Sequence, residues 1–247
     1  AEEAEAPVAS DKTIYVDAQA TGESADGTVE KPYKTLQAAI DAVDKAIIVL
    51  QSDTDENVNV SEGKVITLDL NGFTLNGGTK ASSPALTNKG TVIVKDSSGS
   101  NKGTIKREDR SKDGTYYTIA NEGTMTIQSG TVTNKAGDPE PAPWLGSSLI
   151  CNGATQKAIL NIEGGVIEQN NFIAVKNDEC GTLNISGGTI NSSNAQSVQN
   201  WCEATITGGT LNGIVSTWGY YSSGSFVGHT VIKDNAVING NTYVAWH

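Results

Sequence analysis

From Leu86 to Gly213 apolar and polar residues alternate in short runs, and the runs repeat as one phrase written five times. The copies read LTNKGTVIV from Leu86, IANEGTMTIQSGTV from Ile119, ICNGATQKAILNIEGGVI from Ile150, VKNDECGTLNISGGTI from Val175 and VQNWCEATITGGTL from Val198. Each holds an apolar residue, an asparagine two positions on, an alternating strand, a turn that is usually Gly-Gly or Ser-Gly, and a β-branched or leucine pair. A period of two within each copy and a regular return between copies predict an all-β solenoid. Alignment stacks Leu68, Val92, Met125, Leu160, Leu183 and Ala204 as one inward column, at intervals of 24, 33, 35, 23 and 21 residues. An interval of roughly 22 suits a coil of three short strands and three turns, and the two long intervals imply excursions of about ten residues. Six or seven such coils would make a rod about 30 Å long.

A second column runs through Asn88, Asn121, Asn152, Asn177 and Asn200. Equivalent asparagines on stacked coils can join their amides into a ladder, so these residues are read as structural. Upstream, Leu36, Ala39, Ile40 and Val43 recur at helical spacing and predict an amphipathic helix from about Thr35 to Val43. A helix there would cover the open end of a stack of strands. Residues 1–10, acidic, alanine-rich and broken by Pro7, read as a flexible tail. The remainder, 11–247, reads as one domain, with 11–50 as the N-terminal cap and 214–247 as an irregular last coil. Laying 230–233 on 182–185 puts Lys233 on an inward site, which is what marks that coil as irregular.

The run DGTVEKPYKTLQAAIDAV, with IYVD just before it, resembles the N-terminal cap of right-handed parallel β-helix proteins of the pectin-lyase-like superfamily. The segment IIVLQSDTDENVNVSEGKVITLDLNGFTLNG that follows is similar to the first coils of bacterial surface proteins of that superfamily. The resemblance implies a single-stranded right-handed parallel β-helix with an N-terminal capping helix. It also implies a secreted or cell-surface module of a bacterial adhesin, part of a longer surface protein, whose partner is a host or matrix glycan or glycoprotein. Two other expectations stand beside it: a polysaccharide lyase or glycoside hydrolase of the same fold, and a spacer that binds nothing.

Lyases resembling this fold use an aspartate-lined calcium site with a basic residue, and its hydrolases use clustered aspartates with Gly-His-Gly and Arg-x-Lys. Here Gly228-His229-Thr230 stands in place of Gly-His-Gly, no Asp-Asp pair occurs, and the one Arg-x-Lys, Arg110-Ser111-Lys112, lies in a charged interruption of the repeat. Paired carboxylates are the minimum for glycoside hydrolysis. No catalytic residue, metal site or cofactor is therefore expected. Asp53-Thr54-Asp55-Glu56-Asn57 echoes a calcium loop but continues with Val58 where glycine is required, so an exposed turn is the better reading.

A net charge of −11 and only two arginines, Arg107 and Arg110, disfavour nucleic acid and anionic lipid as partners. The longest apolar stretch, Ala46 to Leu50, has the length of a strand and is too short to cross a membrane. The start at Ala-Glu-Glu suits a trimmed, mature product. Three cysteines leave one over from any pairing; Cys180 and Cys202, one register step apart on adjacent coils, are either bridged or packed as free thiols. Neither has a histidine partner, since the histidines are His229 and His247.

Two excursions interrupt the repeat, a charged one at 106–114 holding both arginines and a proline-rich one at 136–146 holding Trp144. Past Gly213 the chain gathers Trp218, Tyr220, Tyr221, Phe226, Tyr243 and Trp246, which form either a lid on the core or a platform for a ligand. The candidate ligand-binding residues are accordingly Trp144, Trp201, Trp218, Tyr220, Tyr221, His229, Arg107 and Arg110.

Overall fold

A computed structural model of the chain describes residues 12–22, 24–78, 82–107, 116–134, 147–169, 172–219 and 228–246. The tail at 1–10 lies outside them. The described strands pair in parallel throughout and wind into a parallel β-helix. One face is a nine-stranded sheet in the spatial order β1 (Thr13–Val16), β2 (Lys45–Leu50), β5 (Val65–Asp69), β8 (Thr91–Lys95), β11 (Thr124–Ile127), β14 (Ala158–Ile162), β17 (Gly181–Ile185), β19 (Glu203–Ile206) and β21 (His229–Ile232). The eight steps between them span about 38 Å.

The other 14 strands form a single sheet folded along its length. Its first half stacks β3 (Thr54–Asp55), β6 (Thr74–Asn76), β9 (Thr104–Lys106), β12 (Thr131–Thr133) and β15 (Val166–Glu168). Its second half stacks β4 (Val58–Val60), β7 (Leu86–Asn88), β10 (Ile119–Asn121), β13 (Ile150–Asn152) and β16 (Val175–Asn177). The halves join because β18 (Thr189–Asn200) and β20 (Thr210–Gly219) run through the corner without breaking, and β22 (Val237–Asn239) and β23 (Thr242–Trp246) then pair with the two ends of β20. Each coil thus offers three sides. The excursions at 107–118 and 134–149 leave consecutive coils at the corner between the second and third sides.

The inward column differs from the sequence alignment at its first member. Ile66, not Leu68, pairs with Val92, followed by Met125, Leu160, Leu183 and Ala204. Leu68 belongs two residues along, in the row Val94, Ile127, Ile162, Ile185 and Ile206. A slip of two leaves every side chain on the same face, so all these residues are buried and only the hydrogen-bond register distinguishes the alternatives. At the last coil the slip is of one residue. Ala204 pairs with Thr230 and Ile206 with Ile232, so Ile232 takes the register position assigned to Lys233, and at this open last coil both Ile232 and Lys233 are exposed.

The asparagine column is a hydrogen-bonded ladder. Each Nδ2 donates to the next Oδ1, from Asn88 to Asn121 at 2.8 Å and then to Asn152, Asn177 and Asn200 at 2.7 Å per step. Each amide also donates to a main-chain carbonyl of the next coil, for example Asn152 to Thr182 at 3.1 Å. The chain ends where Asn200 donates to Thr230 Oγ1 at 2.9 Å. All five side chains are fully buried, a placement that buried amides tolerate only when satisfied.

Helix α1 (Leu36–Asp41) buries Leu36, Ala39 and Ile40 against β1 and β4. Thr35 Oγ1 accepts from Ala38 N at 3.2 Å, and the Glu56 carboxylate accepts from Leu36 N and Gln37 N at 2.6 and 3.0 Å. The 53–57 stretch, expected as an exposed turn, is therefore knitted to its surroundings: Asp53 accepts from Thr74 N and Asn57 donates to the carbonyls of Gly77, Ser83 and Pro84.

A buried carboxylate, Asp96, shapes the turn after β8. Asp96 accepts from Gly72 N, Ser98 N, Ser98 Oγ and Gly103 N at 2.8–3.1 Å. Burial pushes its pKa up, but these donors together outweigh that and hold it below 3.8. A carboxylate depressed in the folded state stabilises it fully above the unfolded pKa, and that contribution fades as pH falls through the folded value. The stability gap between the native chain and Asp96→Asn is therefore expected to be widest near neutral pH and to shrink below about pH 4. Urea denaturation of both at pH 7 and pH 3 measures it.

Candidate ligand-binding face

On the third side of the coil the middle residue of each three-residue strand points outward. Register stacks Asn59, Thr87, Ala120, Cys151, Lys176, Gln199, Ser216 and Tyr243 into one outer row. Toward the C-terminal end this row is roofed by aromatic rings. Trp201 and Trp218 follow the equivalent positions Asn200 and Thr217 on adjacent coils, and their rings stack with centroids 5.1 Å apart at 22°. Trp218 meets Tyr243 edge to face at 6.5 Å and 70°.

The indole N–H groups fix these rings to the sheet. Trp201 Nε1 donates to Gln199 Oε1 and Trp218 Nε1 to Ser216 Oγ, both at 2.9 Å, and Ser216 Oγ donates in turn to Gln196 Oε1. Trp201 is 9% exposed, Trp218 is half-buried and Tyr243 is 39% exposed, so the band opens progressively toward the last coil.

Next to the tryptophans lies a polar cluster on the same side. Lys176 Nζ pairs with Asp178 Oδ2 at 2.7 Å, and the Cys151 thiol points at the same carboxylate oxygen from 3.9 Å. Tyr117 hydrogen-bonds Cys151 and rests 4.8 Å, centroid to centroid, from Tyr116. Burial first, then the Asp178 charge, pushes the Cys151 thiol up to about 11 against the opposing Tyr117 hydrogen bond and Lys176 charge. Burial likewise raises Tyr117, reinforced by Cys151. Both stay protonated at neutral pH, so Cys151 is not a poised nucleophile.

The remaining candidates separate. Arg107 is 1% exposed at the root of the charged excursion, inside the molecule rather than at a solvated tip. His229 is exposed on the nine-stranded sheet with Nδ1 3.2 Å from Glu203 Oε2, around the corner from Trp218, whose carbonyl accepts from Gly228 N at 2.9 Å. Trp144, Tyr220, Tyr221 and Arg110 lie outside the described residues. Of the eight candidates, Trp201 and Trp218 are brought together; Tyr243, named only among the C-terminal aromatics, joins them, and Lys176, Asp178 and Tyr117 complete the face without having been singled out. The repeat held a signal for Lys176, because the residue before each ladder asparagine is always on this outer row.

A separate open groove of about 730 Å³ follows the corner between the third side and the nine-stranded sheet, lined by Lys89, Glu122, Lys157, Glu179, Cys180 and Cys202 among others. Among the described residues no group of three or more His, Cys, Asp or Glu side chains is placed to hold a metal ion, and no helix is long and apolar enough to cross a membrane. No family model matches the chain, and no curated protein or solved structure matches it significantly.

Proposed function

We propose that this β-helix is a non-catalytic binding module of a secreted or cell-surface bacterial adhesin, akin to the surface members of the pectin-lyase-like superfamily. It takes a glycan, free or on a glycoprotein, on the face built by Trp218 and Tyr243. The observation that carries this reading is that Trp218 stacks on Trp201 and meets Tyr243 while its N–H is pinned to Ser216. A ring held that way has little freedom left to lose when a sugar ring packs against it. The Lys176–Asp178 pair, on the coil before that of Trp201, supplies a donor and an acceptor for hydroxyls.

Alanine at Trp218 removes the middle ring, and loss of a well-packed aromatic contact of about 1.5 kcal/mol weakens binding roughly tenfold. Binding of the native chain, Trp218→Ala and Tyr243→Ala to an array of glycans and mucins is the test. Equal binding by all three overturns the site. Release of unsaturated or reducing sugar from a polysaccharide panel overturns the non-catalytic reading in favour of a lyase or hydrolase.

A further inference from the structure

We propose that Cys180 and Cys202 are a site of reversible covalent modification, closing into a disulfide that staples two adjacent coils. The register Thr182–Glu203, carried back one step, sets Gly181 beside Cys202 and leaves Cys180 one residue further along. Strand geometry carried back into the turns, with neighbouring chains about 4.8 Å apart and about 3.3 Å of rise per residue, would put the two Cα atoms about 6 Å apart. Disulfides bridge Cα separations of roughly 4.4–6.8 Å.

Residues one step out of register within strands would face opposite sides. These two precede β17 and β19 instead, in turns, and both line the same open groove. Both are partly exposed, so a small-molecule disulfide has access from solvent. The electrostatic coupling of the two thiols agrees with their closeness. Cys151, by contrast, is 2% exposed on the third side. The odd cysteine count thus resolves into a pair and a sealed thiol.

In the reaction one thiolate of the pair attacks oxidised glutathione, forms a mixed disulfide and expels one glutathione thiolate. The second thiolate attacks the protein sulfur of that mixed disulfide and expels the other. The two protons released by the cysteines go to the leaving thiolates, and the two electrons end in two molecules of reduced glutathione. The staple joins the coil of Lys176 and Asp178 to the coil of Trp201, whose neighbour in the chain is Cys202. It stands independently of what binds there.

The test is incubation of the folded chain with oxidised glutathione, then denaturation, alkylation and mass spectrometry. The expected result is a fall from three alkylatable thiols to one, with Cys180 and Cys202 in one crosslinked peptide. Cys151→Ser keeps the bridge and leaves no free thiol, while Cys180→Ser and Cys202→Ser abolish it. The urea midpoint of the bridged chain lies above that of the reduced chain and returns on treatment with dithiothreitol. Three thiols remaining, separate glutathione adducts on the two cysteines, a bridge that includes Cys151, or a bridge that leaves the midpoint unmoved each overturn the proposal.

Discussion

Replacing Asn152 with alanine is expected to cost about 3–5 kcal/mol of folding free energy. Asn152 is the middle rung of the ladder, accepting from Asn121 and donating to Asn177 Oδ1 and to the Thr182 carbonyl. Alanine deletes all three bonds and leaves a polar atom on each neighbour short of a partner in a fully buried row. Each of the three bonds, lost with its partner left buried, costs about 1–3 kcal/mol, and toward the lower end of that range they sum to the stated loss. Aspartate is expected to be worse at neutral pH, because it keeps the acceptor, loses the donor and brings a charge against Asn177 Oδ1. Equilibrium urea unfolding with the slope held in common measures both; a loss below about 1 kcal/mol for alanine would mean that the row is ornament rather than framework.

Gly188→Ala is expected to destabilise by about 3–5 kcal/mol, whereas Gly63→Ala costs only about 1–2 kcal/mol. Both glycines hold a left-handed backbone, with φ of 80° and 84°. A methyl group at Gly63 meets nothing within 4 Å, but at Gly188 it would sit 2.8 Å from the Gly164 carbonyl oxygen and 3.0 Å from that of Gly165, both backbone atoms of the coil below. The left-handed conformation is common to the two sites, so the difference isolates the close stacking of turns. Thermal or urea unfolding of the two variants side by side reads it directly, and equal losses would show that the turns have room to move apart.

The sequence made the coil legible because every repeat reports the same three environments: inner apolar row, ladder asparagine, glycine turn. Its errors were errors of register. Ile66 and Leu68 are two residues apart in a period-two strand, so either satisfies the same burial, and only main-chain pairing to Val92 separates them. Thr230, Ile232 and Lys233 were misplaced by one because Thr217 replaces the ladder asparagine in that turn and removes the landmark.

The candidate face was half legible. Trp201 and Trp218 each follow a ladder position and so fall into one column. Tyr117, Cys151 and Asp178 meet from three different coils, an encounter that no local window contains. Arg107 misled because a run of charges reads as solvent-facing, while burial depends on where the strand ending at Lys106 delivers the next side chain.

The long excursions leave at one corner and the asparagines stack at another. That division frees each insertion from the stacking order. Lengthening a loop costs only about 0.6 kcal/mol per doubling, a small charge beside a broken rung. The architecture is in effect a shaft with interchangeable fittings, on which lineage or engineer can exchange the stretches between Arg107 and Thr118 and between Asn134 and Ser148 while the buried residues behind them keep their alignment.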